Sequence, residues 1–247
     1  MDVVIQVDNL RKVYDKTVAV DTLSFSVTAG TILGLVGPNG AGKTTTLRTL
    51  SGILKPTEGT ITIAGHDIEA KPVEAKRMFA LVPDVPNLFD ALTVWEHLQF
   101  IASAYKVAAF EDTAHRLLEQ FELTPKTHTL ASELSRGMKQ KAAICCAYLY
   151  DPKVIFFDEP LSGLDPKGIR TIKNSIRERA EAGAAVIISS HFLSMIEDLC
   201  THLLIMHEGK ERYMGSVEAA RTEFATQIQD ATLEEIFFRV TEGNPTA

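Results

Sequence analysis

Two periods of hydrophobicity alternate along this chain. Leu23, Phe25 and Val27 alternate with Ser24, Ser26 and Thr28, a period of two that gives a strand one apolar and one polar face. Ile61 and Ile63 alternate in the same way with Thr60 and Thr62, and turn signals at Ala29-Gly30, Glu58-Gly59 and Ala64-Gly65 bound these segments. The opening therefore predicts antiparallel sheet. Later strands read differently. Ile32 to Val36, Val154 to Phe157, Ala185 to Ile188 and Leu203 to Met206 are continuous apolar runs, as expected of parallel strands with helices on both faces. Glu208-Gly209 suggests a hairpin into Glu211-Arg212-Tyr213-Met214.

Helical spacing fills the intervals. Thr45 to Leu50 reads as a helix after the first buried strand. Thr93-x-x-Glu96 is a capping box, opening a helix with Leu98, Ile101 and Tyr105 on one face. A second helix is predicted from Glu111 to Phe121, with Leu117, Leu118 and Phe121 inward and Pro125 closing it. Ser135 reads as the N-cap of a helix striped by Met138, Ala142, Cys145 and Leu149. Asp165-Pro166 starts another, with Ile169, Ile172 and Ile176 inward and Gly183 at its end. The tail from Ser216 has helical character to about Val240, then Gly243-Asn244-Pro245.

A chain of 247 residues with this alternation is one α/β core carrying a subdomain. A net charge of −7 argues against general nucleic-acid binding. Cys145, Cys146 and Cys200 lack metal-ligand spacing and suit a reducing compartment. The opening Met1-Asp2-Val3-Val4 has no signal-peptide character, and the longest unbroken apolar run, Ala142 to Tyr150, falls well short of the roughly 20 residues that span a bilayer. Any membrane role is then expected through a partner.

The chemistry centres on Gly37-Pro38-Asn39-Gly40-Ala41-Gly42-Lys43-Thr44, which fits G-x-x-x-x-G-K-[ST] between a strand and a helix. Glycines let successive N–H groups point inward at phosphate oxygens, Lys43 reaches the β- and γ-phosphates, and the Thr44 hydroxyl ligates Mg²⁺. Thr45 follows on the helix, whose N-terminus favours anions. Phe156-Phe157-Asp158-Glu159 sets two carboxylates at the C-terminal edge of a strand, where ligands of open α/β sheets bind. Asp158 is placed to hold Mg²⁺, and Glu159 to point at a water lined up on the γ-phosphate. A surface pair of acids is the plainer reading, and the strand and P-loop weigh against it.

With these motifs in order, the sequence resembles the ATP-binding-cassette (ABC) ATPases, the nucleotide-binding subunits of ABC transporters. Their signature is Leu-Ser-Gly-Gly-Gln. This chain has Leu134-Ser135-Arg136-Gly137-Met138, followed by Lys139-Gln140-Lys141 as in the exporter branch that handles drugs, antibiotics and polysaccharides. Ser162-Gly163-Leu164-Asp165 matches the D-loop, His191 the switch histidine, and Tyr14 is placed like the aromatic residue that stacks on adenine. Alone, Ser135 would be a helix cap, Tyr14 a strand tyrosine and His191 polar surface. One departure stands out: where the family usually has a glutamine that ligates Mg²⁺ and senses the membrane partner, this chain has Asp84. It either joins Thr44 and Asp158 at the metal or faces the partner groove.

The resemblance implies a P-loop NTPase (RecA-like) core, residues 1–84 and 151–215, with an N-terminal antiparallel β subdomain. It also implies an inserted helical subdomain at 85–150 bearing the signature, and a helical tail at 216–247. Two such subunits, alike or different, would close head to tail on two ATP molecules and drive a membrane-spanning permease from the cytoplasmic face, as an exporter. Docking is expected near Asp84 to Trp95, where Leu88, Phe89, Leu92 and Trp95 cluster, although Trp95 equally suits the subdomain core. The alternative is an ABC-type ATPase of ribosomes or DNA with no membrane partner. Such proteins usually carry two cassettes or a long coiled-coil insertion, and neither is present here.

Overall fold

The computed structural model describes residues 2–190, 193–225, 235 and 237. Strands β1 (Val3–Tyr14) and β2 (Thr17–Thr28) form a long antiparallel hairpin. In β2, Leu23, Phe25 and Val27 are buried while Ser24 and Ser26 are exposed, as the alternation requires. Next come β3 (Ile32–Val36), α1 (Lys43–Leu50), β4 (Glu58–Ile63), β5 (His66–Asp67), α2 (Pro72–Met78) and β6 (Phe79–Val82). Helices α3 (Val94–Tyr105), α4 (Glu111–Gln120) and α5 (Arg136–Tyr148) follow, with short 3-10 turns at Thr124–Lys126 and Ala131–Glu133 between the last two. The chain then returns to β7 (Val154–Asp158), α6 (Pro166–Glu181), β8 (Ala185–Ser189), α7 (Leu193–Leu199), β9 (His202–His207), β10 (Lys210–Ser216) and α8 (Val217–Ala225).

Two sheets result. The first is antiparallel, in the order β2-β1-β4-β5. The second runs β10-β9-β3-β8-β7-β6, parallel throughout except for the edge hairpin of β10 on β9. Every residue of β3 and β8 is buried, which explains why these strands read as unbroken apolar runs. One apolar cluster fills the space between the sheets; the other joins the opposite face of the parallel sheet to α3, α4 and α5. This is an α/β P-loop core with an antiparallel β subdomain and a helical subdomain.

Local signals held closely. Thr93 caps α3 by accepting the Glu96 N–H at 3.2 Å, while the Glu96 carboxylate accepts the Thr93 N–H at 2.7 Å. Tyr105, at the end of α3, stacks on Tyr150 with ring centroids 3.7 Å apart. The helix after β3 starts earlier than expected, at Lys43 rather than Thr45, because Gly42 takes a left-handed φ of 101° and caps it. Of the predicted tail helix, α8 accounts for the first turns; residues 226–234, 236 and 238–247 lie outside the described residues.

Candidate functional site

The site forms where β3 and β7 end, separated in the sheet by β8. Val36 hands the chain to the Gly37–Gly42 loop. A Cβ on Gly37 would run into the Met206 carbonyl and Ala41, and one on Gly42 into the Ala19 carbonyl. Both positions therefore demand glycine. Asn39 and Gly40 are exposed at the tip, Ala41 is buried beneath it, and Thr45 follows half-buried on α1.

Lys43 curls back over its own loop. Its Nζ donates to the carbonyls of Gly37 at 2.6 Å and Pro38 at 3.0 Å. Burial pulls the pKa of this ammonium below the usual lysine range, while the charges of Glu159 and Asp158 pull it back up.

The carboxylates are held by hydroxyls. Asp158 sits opposite Ser189 in the β7–β8 register, and the Ser189 hydroxyl donates to its Oδ1. The Thr44 hydroxyl reaches the same oxygen at 3.4 Å. Glu159, one residue on, adopts a left-handed φ of 50°, a conformation that costs a non-glycine residue about 1–3 kcal/mol and clusters at functional sites. Its N–H donates to the Ser189 carbonyl at 3.0 Å, and the Ser190 hydroxyl donates to its Oε2 at 3.3 Å. Ser189 and Ser190 are both fully buried. They were not singled out in the sequence, although two hydroxyl residues directly after an apolar strand carried the signal.

Thr44 and Asp158 together offer hard oxygen donors suited to Mg²⁺, which usually takes one or two protein ligands and completes its shell with water and phosphate. Among the described residues no group of three His, Cys, Asp or Glu could hold a metal by itself. Asp84 lines the same groove as Thr44, Asp158 and Glu159. Its carboxylate, however, accepts from Arg136 Nη2 at 2.9 Å. The negative charge that Asp84 adds beside Asp158 and Glu159 is thus offset by a cation.

At α5, Ser135 has the extended backbone of an N-cap and its hydroxyl accepts the Met138 N–H at 3.3 Å. Leu134 is buried beneath this turn and Met138 is half-buried. Gly137 faces Leu164, leaving little more than van der Waals space. Of the 162–165 stretch, Ser162 donates its N–H to the Glu159 carbonyl at 3.2 Å, and Asp165 caps α6 through the Gly168 N–H at 2.8 Å. Tyr14 stands exposed at the end of β1, with Lys12 Nζ 5.1 Å from its ring centre. His191 lies outside the described residues.

Beside the carboxylates a groove of ≈ 850 Å³ opens between α1 and α3. Val85, Phe89 and Phe100 remain 61%, 57% and 51% exposed along it, with the Phe89 and Phe100 rings edge to face at 5.6 Å. Trp95 is not part of it. Its ring packs against His115 at 4.9 Å and Phe110 at 5.6 Å, within the helical subdomain. The groove loop is instead pinned by His97, buried, whose Nε2 accepts the Phe89 N–H at 2.9 Å while Nδ1 pairs with the Thr93 carbonyl at 2.7 Å.

The profile of the family described as "ABC transporter" matches residues 20–162. The chain belongs to the ABC transporter family. It is 32% identical over 240 residues to the ABC-type transporter ATP-binding protein EcsA of Bacillus subtilis, covering 96% of both chains. It is 37% identical over 217 residues to the Nod factor export ATP-binding protein I of Paraburkholderia xenovorans, covering 87% of this chain and 71% of that one. A solved structure described as the ATP binding subunit of an ABC transporter superposes with a TM-score of 0.91 at 32% identity, covering 96% of this chain and 99% of that one. This ABC chain is therefore an ATP-binding ATPase subunit of a transporter, akin to subunits of export systems. Among its described residues, no helix is long and apolar enough to cross a membrane.

Proposed function

We propose that this ABC subunit pairs head to tail with a second, like or unlike, closes on two ATP molecules, and powers a separate permease that exports its substrate. What supports the reading most is the convergence of Lys43, Thr44, Asp158 and Glu159 on one sheet edge. In this reading Lys43 leaves the Gly37 and Pro38 carbonyls for the β- and γ-phosphates, the loop N–H groups from Gly37 to Thr45 cradle the phosphates, and Tyr14 stacks on adenine. Thr44 and Asp158 hold Mg²⁺, which supplies neutralisation of phosphate charge. Glu159, held in its left-handed turn, takes a proton from the attacking water. His191 is assigned to the γ-phosphate side by family likeness alone.

Leu134 to Met138 of one subunit face the ATP of the other, offering the Ser135 hydroxyl and the N-terminal dipole of α5. The Ser162–Asp165 loop lines the same interface. The apolar groove receives a short segment of the permease, which sets the subunit peripherally on the inner face of the membrane. Residues 85–150 move as the signature-bearing unit between core segments 1–84 and 151–215, with 216–247 as a tail.

Replacing Glu159 by Gln tests the core of this reading. ATP binding should persist, turnover should fall about 10²–10⁴-fold, and an ATP-dependent pair should accumulate in sedimentation. Single-turnover hydrolysis within a few-fold of wild type would remove Glu159 as the base.

A further inference from the structure

Two of the positions at which this chain departs from its family's pattern are in contact. Asp84 replaces the usual glutamine and Arg136 the first signature glycine, and 52 residues apart in sequence they meet at 2.9 Å. The Arg136 stem does more than reach Asp84. A Cβ built on Gly163 would lie 3.0 Å from Arg136 Cδ and 3.2 Å from its Nε, so the side chain runs across that glycine on its way to the groove. Gly163 has a φ of 75°, a left-handed conformation that glycine adopts without strain. One arginine therefore touches the groove loop, the first turn of α5 and the 162–165 loop.

We propose that Asp84 and Arg136 form a matched strap, with Arg136 as a positioning residue that ties the Ser135 turn to the loop on which the permease docks. The proposal rests on the two-subunit reading above for its consequence, but not for its existence in the single subunit. Its energetics suit a strap rather than a brace. Both side chains are about half exposed, 54% and 43%, a setting in which ion pairs are weak and easily released. Arg136 is also the first residue of α5, where the helix dipole disfavours an unpaired cation. A partner segment that moved the Asp84 loop would thereby free the guanidinium beside Ser135, and the reverse coupling must hold equally. A neutral glutamine facing glycine, the family's usual pair, could make no such link.

The test uses Asp84→Asn, Arg136→Gln and the double variant, each near in shape and lacking charge. In the nucleotide-free subunit, amide hydrogen exchange at residues 135–138 and 162–165 should quicken about threefold to fivefold in either single variant, the range an exposed ion pair supports. The double variant should match the singles rather than multiply them, and Arg136→Lys should recover part of the protection. Unchanged exchange, or effects that multiply, would overturn the strap. In the Glu159→Gln background, the ATP concentration giving half-maximal pairing should rise by a similar factor. If exchange in the variants behaves as predicted but the Glu159→Gln parent with the strap intact does not pair with ATP at all, the strap stands and the two-subunit reading falls.

Discussion

Ser190→Ala should slow hydrolysis while leaving ATP recognition intact. The Ser190 hydroxyl donates to Glu159 Oε2 at 3.3 Å from a buried position. Hydrogen bonds to charged groups contribute about 1.5–3 kcal/mol, and 3.3 Å lies beyond the usual 2.5–3.0 Å of a hydroxyl donor, so the lower end applies. A loss of about 1.4 kcal/mol is tenfold in rate. Steady-state ATPase assays of the subunit should give kcat down about tenfold with KM for ATP within twofold, because the phosphate cradle and Tyr14 are untouched. Ser190→Thr, which keeps the hydroxyl, should recover most of the rate. Added to Glu159→Gln, Ser190→Ala should cost nothing further. A kcat within twofold of wild type, a proportional rise in KM, or a further tenfold loss in the Glu159→Gln background would refute the positioning argument.

Two further changes probe α5. Ser135→Arg removes the cap on the Met138 N–H, costing about 1 kcal/mol of stability, and sets a long side chain where the partner's ATP must approach; in the Glu159→Gln background it should abolish ATP-dependent pairing in sedimentation, and undiminished pairing would sink the trans role of the turn. Gln140 is 1% exposed and, among the described residues, neither amide atom finds a partner. Gln140→Met should therefore raise Tm by about 2–4 °C, corresponding to relief of about 1 kcal/mol; a fall in Tm by calorimetry would show that the amide is satisfied in solution.

How far the sequence could be read depended on the range of the interactions. The capping box at Thr93, the cap at Asp165 and the alternation of β2 are written within four to six neighbouring residues, and all three appear as expected. The P-loop and Asp158-Glu159 were legible because each lies on a strand end whose apolar run announces it. What could not be read was which hydroxyl serves which acid. Ser189 and Ser190 are paired to Asp158 and Glu159 by the parallel register of β7 on β8, and register is a property of two strands that local pattern does not encode. Trp95 was left open for a related reason: its helix position allows either face, and its packing partners Phe110 and His115 come from α4 and its approach.

Asp84 carries the argument one step further. Taken alone it adds charge to a site that already holds two carboxylates, a like-charge repulsion that only a cation relieves. Arg136 taken alone puts a cation at the start of a helix, where the dipole opposes it. Each looks like a cost when read singly. Placed together at 2.9 Å they offset one another, so each charge costs more alone than in the pair. That asymmetry gives the pair its meaning: a local departure at one loop is intelligible only through a second departure at a loop the fold brings beside it.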